Sequence, residues 1–162
     1  MTLQNMLKPS AILAIALLAG PVFAAGTETE ENAVVRWEAD KTVIFDASEV
    51  NLDDFKWIAR PVVVFADSEA VPAFQTQIEL LSERPDELAL RDVVLIVDTS
   101  PDERSDIRKK LRPRGFMLTL IGKDGGVKLR KPFPWDVREL SRQIDKMPIR
   151  QQEIRDRLEA GE

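Results

Sequence analysis

Phe116-Met117-Leu118-Thr119-Leu120-Ile121-Gly122-Lys123-Asp124-Gly125-Gly126-Val127-Lys128-Leu129-Arg130 reads as a β-hairpin, and the rest of the chain is organised around it. An apolar run supplies one strand, Lys-Asp-Gly-Gly turns the chain, and Val127 to Arg130 alternates apolar with charged residues. Asp-Gly is a strong hairpin signal because a type I′ turn needs φ > 0 at both central positions. Gly115, Gly122, Gly125 and Gly126 are among only seven glycines, so backbone freedom is concentrated in this stretch.

Upstream lie two short apolar runs without polar interruption, Val62-Val63-Val64-Phe65-Ala66 and Val93-Val94-Leu95-Ile96-Val97. Runs of this kind suit central strands covered on both faces by helices. Thr42-Val43-Ile44-Phe45 is the preferred first strand, and Val34-Val35-Arg36-Trp37 an edge strand or extended arm. Between the strands the helix signals are local. Asn51 is a candidate N-cap, with Asp53 and Asp54 in the first turn and Leu52, Phe55 and Ile58 facing inward until Arg60-Pro61. Pro72 opens a helix with the stripe Phe74, Ile78, Leu81 and Leu88, interrupted near Ser82 to Pro85. Ser100-Pro101-Asp102-Glu103 combines a cap, a first-turn proline and a capping-box acid for a helix to about Leu111, ended by Pro113 and Gly115. Asp136 and Glu139 open an amphipathic helix carrying Val137, Leu140, Ile144 and Met147, which Pro148 stops. The order β-α-β-α-β-α-β-β-α, with right-handed parallel crossovers before a terminal hairpin, is that of an α/β thioredoxin-like fold with a mixed central sheet.

Residues 1–25 carry Lys8, an apolar run Ala11 to Ala19, the break Gly20-Pro21 and small residues at Val22-Phe23-Ala24. That is the pattern of a cleaved signal peptide, with an apolar run too short to span a bilayer. The expected organisation is a signal peptide over 1–25, a flexible leader over 26–41, one domain over 42–148 and a charged helical tail over 149–162. In that tail Ile149, Ile154 and Leu158 are sparse anchors. The expected location is periplasmic or secreted, with no membrane span after cleavage. No cysteine lies near the cleavage site, which excludes lipoprotein anchoring.

The formal charge is −5, and cleavage would remove Lys8 alone and make it more acidic. That balance argues against general nucleic-acid binding. The chain has no Cys, no His and no Tyr. Disulfides, thiol redox chemistry and sulfur-ligated metals are therefore excluded, as is the usual general base near pH 7. Carboxylates, hydroxyls, Lys and Arg remain.

The blocks Asp54 to Ala66, Leu90-Arg91-Asp92-Val93-Val94, Ile121 to Arg130 and Met147-Pro148-Ile149-Arg150 resemble a bacterial thioredoxin-like family of unknown function. That family is grouped with the secreted equarin-like (P-DUDES) domains. The resemblance covers about residues 51–152, and Gly-Lys-Asp-Gly-Gly-Val-Lys-Leu-Arg is its most specific part. It implies the fold and an exported location, and no established activity. Where active thioredoxins carry C-x-x-C this chain reads Ala70-Val71-Pro72-Ala73, and Met117 holds the place of their cis-proline.

Two candidate sites emerge. Asp67, Ser68 and Glu69 follow one central strand while Thr99 and Ser100 follow its neighbour, where open α/β sheets bind ligands. They suggest a small polar pocket or an oxygen-ligand cation site, although helix capping accounts for the same residue types. Arg108, Lys109, Lys110, Arg112 and Arg114, with Lys123, Lys128, Arg130 and Lys131 on the hairpin, suggest a basic patch. Such a patch fits an anionic envelope component or an acidic protein partner; dipole complementation and edge protection are the structural alternative. Trp57, Phe133 and Trp135 are expected to close the core. The reading assigns no catalytic residue, no cofactor and no metal. It favours a non-catalytic exported binding module, with a carboxylate-based enzyme or an accessory to a thiol-redox pathway as the alternative.

Overall fold

The computed structural model describes residues 32–161, so the signal-peptide pattern and the leader up to Glu31 lie outside the described residues. Five strands form one sheet: β1 (Ile44–Asp46), β2 (Arg60–Phe65), β3 (Val93–Asp98), β4 (Met117–Ile121) and β5 (Val127–Lys131). Their spatial order is β1-β3-β2-β4-β5. β1 and β2 run parallel to β3, and β4 runs antiparallel to both β2 and β5. All six residues of β2 are buried, as its unbroken apolar run predicts for the middle of a sheet. Its alternate side chains enter two cores, Val62 and Val64 on one face and Val63 and Phe65 on the other.

The helices are α1 (Ala33–Ala39), α2 (Pro72–Ser82), α3 (Pro85–Ala89), α4 (Asp106–Leu111), α5 (Val137–Asp145) and α6 (Pro148–Ala160). The first core takes Trp37 from α1, Phe55 from a 3₁₀ turn over Leu52–Phe55, and Ile107 and Leu111 from α4. The second takes Phe74, Leu81 and Leu88 from α2 and α3, with Val137, Leu140 and Ile144 from α5. The interruption before Pro85 and the Asp136–Glu139 capping box form as the sequence predicts.

Several expectations are corrected. Val34 to Trp37 is helical, not extended, and so part of the expected leader is structured. Asn32 caps the helix through Val34 N–H (2.9 Å), and helical spacing turns Trp37 into the core while Val35 stays exposed. The Trp37 indole N–H donates to the Val93 carbonyl at 3.1 Å and its ring meets Phe55 edge-on. The helix expected after Asn51 is only the 3₁₀ turn, and Ile58 lies at the surface because Trp57 reverses the backbone at φ +66°. Ser100 makes no cap bond. The chain forms a 3₁₀ turn over Pro101–Glu103, passes Arg104 in the left-handed region, and starts α4 at Ser105, whose hydroxyl accepts from Arg108 N–H at 2.9 Å.

Pro148 begins a helix as well as ending one, and α6 is not held by apolar anchors. Leu158 is 72% exposed. The helix docks through charge: Glu153 accepts from Arg60 (2.9 Å), Lys123 (2.9 Å) and Arg150 (3.3 Å). Lys123 also reaches Asp92 at 2.9 Å, and Arg150 lies 3.6 Å from Asp145. Burial pushes the Glu153 carboxyl up, but the hydrogen bonds and charges of Arg60 and Lys123 outweigh it and hold the group below its ordinary value.

Candidate functional site

The glycine-rich turn positions the candidate site. Gly125 N–H donates to the Gly122 carbonyl and Gly122 N–H to the Gly126 carbonyl, each at 2.9 Å. Neither Lys123 nor Asp124 has positive φ, while Gly125 stands at +78°. This is a turn closed by a left-handed glycine, with a register shift between Leu120 and Ile121, rather than the expected type I′ turn. At Gly122 a Cβ would sit 2.5 Å from Lys128 Cε and 2.6 Å from Asp124 Oδ1, so a larger residue there would displace the ends of both side chains. Those two side chains pair at 2.6 Å, and the Lys128 hydrogen bond, ahead of smaller effects, holds the Asp124 carboxyl below its ordinary value. Trp57 N–H donates to the Lys123 carbonyl at 2.7 Å and ties the turn to the 3₁₀ segment.

A pocket of about 140 Å³ opens between that segment, α4 and the hairpin. Leu52, Phe55, Pro61, Leu111 and Ile121 give it apolar walls, and Lys56, Lys110 and Arg130 stand around it with one carboxylate, Asp53. Lys110 pairs with Asp53 at 3.1 Å, both side chains being more than half exposed. Such a pair contributes little to stability and is readily exchanged for another partner. Arg130 donates to the Leu111 carbonyl at 2.6 Å, which fixes its guanidinium beside the end of α4.

The structure breaks up the linear cluster of cations. Arg108 turns inward, bonds Asp98 and the carbonyls of Ala66 and Asp98 at 2.7–3.0 Å, and lies over the Phe65 ring. Lys109 pairs locally with Asp106 at 2.9 Å, Lys123 belongs to the α6 ion pairs, and Lys128 is held by Asp124. Arg112 and Arg114 are exposed and have no side-chain partner among the described residues. Lys131 lies over the rings of Trp135 (4.2 Å) and Phe133 (5.7 Å). Of the predicted group, Lys110 and Arg130 come together, joined by Lys56, which sequence proximity did not suggest. Trp57 and Phe133 do not close the core: they are 65% and 53% exposed.

The polar pocket expected at the strand ends does not assemble. Asp67, Ser68 and Glu69 are exposed, Thr99 and Ser100 half-buried, and no side-chain hydrogen bond joins the two groups among the described residues. Asp98, one residue before Thr99, occupies that end of the sheet instead. It is buried and accepts from Ser105 Oγ at 2.6 Å and from Arg108 at 2.7 Å. Because Arg108 also takes the Ala66 and Asp98 carbonyls, the pair clips β2 to β3 where both strands end. The available signal was an acid closing an apolar run with an arginine ten residues on. Ala70-Val71-Pro72-Ala73 leads into α2 at the same end, and Met117 stands opposite Phe65 with no cis peptide bond among the described residues.

No curated protein matches the chain by sequence. Among solved structures, the reduced 2-Cys peroxiredoxin of Plasmodium vivax is similar at a TM-score of 0.52 and 18% identity, over 64% of this chain and 85% of that one. A chloroplastic thioredoxin z is similar at a TM-score of 0.50 and 20% identity, over 64% of this chain and 96% of that one. Both likenesses establish a thioredoxin-like fold, and in this chain that fold carries no cysteine. Residues 51–153, from the cap of the 3₁₀ turn to the central carboxylate of the α6 ion pairs, match the domain of unknown function DUF4174, and the chain belongs to that family.

Proposed function

We propose that this protein is an exported, non-catalytic binding module that takes an acidic peptide segment of a partner protein at the pocket beside the hairpin turn. The observation that carries the reading is the grouping of Lys56, Lys110 and Arg130 around an apolar pocket with a single carboxylate, in a chain whose formal charge is −5. An acidic side chain offers both halves of the match, an aliphatic stem for the walls and a carboxylate for the cations. Trp57, exposed and held at φ +66° immediately after Lys56, supports a protein surface, since exposed tryptophans and strained backbone concentrate where proteins bind. Export rests on the pattern of residues 1–25, and the absence of Cys and His leaves thiol and imidazole catalysis without a residue.

The test is fluorescence anisotropy with a labelled Glu-rich peptide. Binding should weaken as salt is raised, and Lys56→Ser/Lys110→Ser should weaken it while leaving the melting temperature nearly unchanged, because exposed substitutions typically cost within about 0.5 kcal/mol. A double variant that binds as the parent does overturns the assignment of the pocket. A reporter fused after Glu31 should leave the cytoplasm; a cytoplasmic full-length fusion overturns the export reading. Turnover of insulin disulfides or of peroxide would overturn the non-catalytic one.

A further inference from the structure

β5 forms one edge of the sheet, and β4 is its only neighbour there. A strand paired on one side presents the N–H and C=O groups of alternate residues outward, ready for another strand. Among the described residues, no backbone group outside the β4 pairing bonds to the backbone of Val127–Lys131. The opposite edge, β1, is three residues long, so β5 with five is the longer free template.

The charge of this edge selects what can pair with it. Lys128 is matched by Asp124. Arg130 donates only to the Leu111 carbonyl and the Met117 sulfur, and Lys131 lies over the Trp135 and Phe133 rings, so neither has a carboxylate partner among the described residues. A second copy paired antiparallel about Leu129 would set the Lys128 of each against the Arg130 of the other, and like charges directly opposite destabilise a strand pair. An acidic strand meets no such opposition. Side-chain alternation then ties the edge to the pocket. The register shift between Leu120 and Ile121 gives β5 one extra residue, so Val127 and Arg130, three apart, both line the pocket with Lys56. Leu129 packs on the second core, and Lys131 stands opposite Leu118 of that core, on the other face of the sheet.

We infer that the acidic segment of the partner binds as a sixth strand along the free edge of β5. Its acids stand at alternate positions on the pocket side, beside Arg130 and Lys56, and its intervening apolar side chains lie on the face of Leu129 and the exposed Phe133. Main-chain hydrogen bonds to the edge supply affinity, and the alternate side chains set the choice of sequence. The inference rests on the peptide reading above and adds how the peptide backbone is held and which pattern of residues is chosen.

Fluorescence anisotropy of the full chain with labelled hexapeptides tests it. The probes are a peptide of alternating Glu and Val, its block isomer with the Glu residues first, and the alternating peptide N-methylated at all its Glu or at all its Val residues. The alternating peptide should bind at least tenfold more tightly than the block isomer, which has the same charge and composition. Only one set of peptide N–H groups faces β5, so one N-methylated peptide should bind at least tenfold more weakly and the other within threefold of the unmethylated one. A slip of one residue would exchange the two sets but would also turn the acids away from the pocket. Amide hydrogen exchange at alternate residues of Val127–Lys131 should slow at least tenfold on binding. If the peptides bind but neither residue order nor methylation matters, the peptide reading stands and the strand inference falls. If none binds, both fall. Self-association that protects the same β5 amides in the free chain would assign the edge to a second copy, and that too overturns the inference.

Discussion

Glu153→Ala should destabilise the fold by about 3 kcal/mol, although it removes a side chain from a polar helix near the end of the chain. The figure follows from what the carboxylate leaves behind. Lys123 and Arg150 each keep a second acid, Asp92 at 2.9 Å and Asp145 at 3.6 Å. Arg60, with a side chain only 1% exposed, keeps one carbonyl and no carboxylate. Stranding one member of a buried pair typically costs about 3–5 kcal/mol, and the lower end applies because Glu153 is itself 20% exposed and water reaches it. Urea unfolding at pH 7 reads the loss, and the melting temperature should fall by roughly 10 °C. Glu153→Gln, which keeps an acceptor without the charge, should lose less; Glu159→Ala, exposed on the same helix, should stay within about 0.5 kcal/mol. The pH dependence supplies a second readout. The folded pKa of Glu153 lies below its ordinary 4.5 and that of Asp92 below 3.8, so each contributes stability that is complete above the ordinary value and lost as pH falls through the folded one. The parent should therefore weaken as pH drops below 4.5, and Glu153→Ala should show a shallower acid limb. A variant as stable as the parent at pH 7, or one with an identical acid limb, refutes the account of how α6 is held.

Val64→Asp should abolish folding, since Val64 is 1% exposed on the central strand and the new carboxylate would have no partner; a parent-like circular dichroism melt refutes it. Trp37→Ala should cost about 3–5 kcal/mol in urea unfolding, whereas a loosely attached leader would register no change. Ser105→Ala should cost about 0.5–2 kcal/mol through its lost helix cap, with a further loss from the Asp98 contact, while Ser100→Ala should cost almost nothing; equal losses would contradict the start of α4.

The elements legible in the sequence are those whose decisive interactions are local. β2 and β3 announce themselves by apolar runs bounded by Pro61 and Asp98, and α5 by a cap and an acid three residues apart. Arg60, at the start of β2, looks from the sequence like the end of a helix, yet it is buried and bound to a carboxylate 93 residues away. Separation in sequence hides α1 as well. Val34 and Val35 favour extended backbone, and what overrides them is a tryptophan bonded to a carbonyl 56 residues on. Sequence patterns report on neighbours along the chain, and here the deciding neighbours are on distant elements, β3 for Trp37 and α6 for Arg60.

The candidate site fails to be legible for a geometric reason. Successive residues of a helix point about 100° apart, so three adjacent cations cannot share a face. Arg108, Lys109 and Lys110 accordingly go to Asp98 inside the sheet end, to Asp106 on the same turn, and to Asp53 at the pocket. A basic run in sequence becomes one buried clip, one local pair and one pocket residue. The glycine block carries further because its information is about close approach rather than charge. A Cβ on Gly122 would crowd the ends of the Lys128 and Asp124 side chains on one side, and a Cβ on Gly125 would lie 3.8 Å from the Lys56 stem on the other. Gly122 and Gly125 line the pocket beside the turn, and Gly125 takes a left-handed φ of +78° that favours glycine. The stretch that makes the hairpin recognisable is therefore also the stretch that places Lys56 and Lys128 on opposite sides of it, and fold and site are encoded in the same residues.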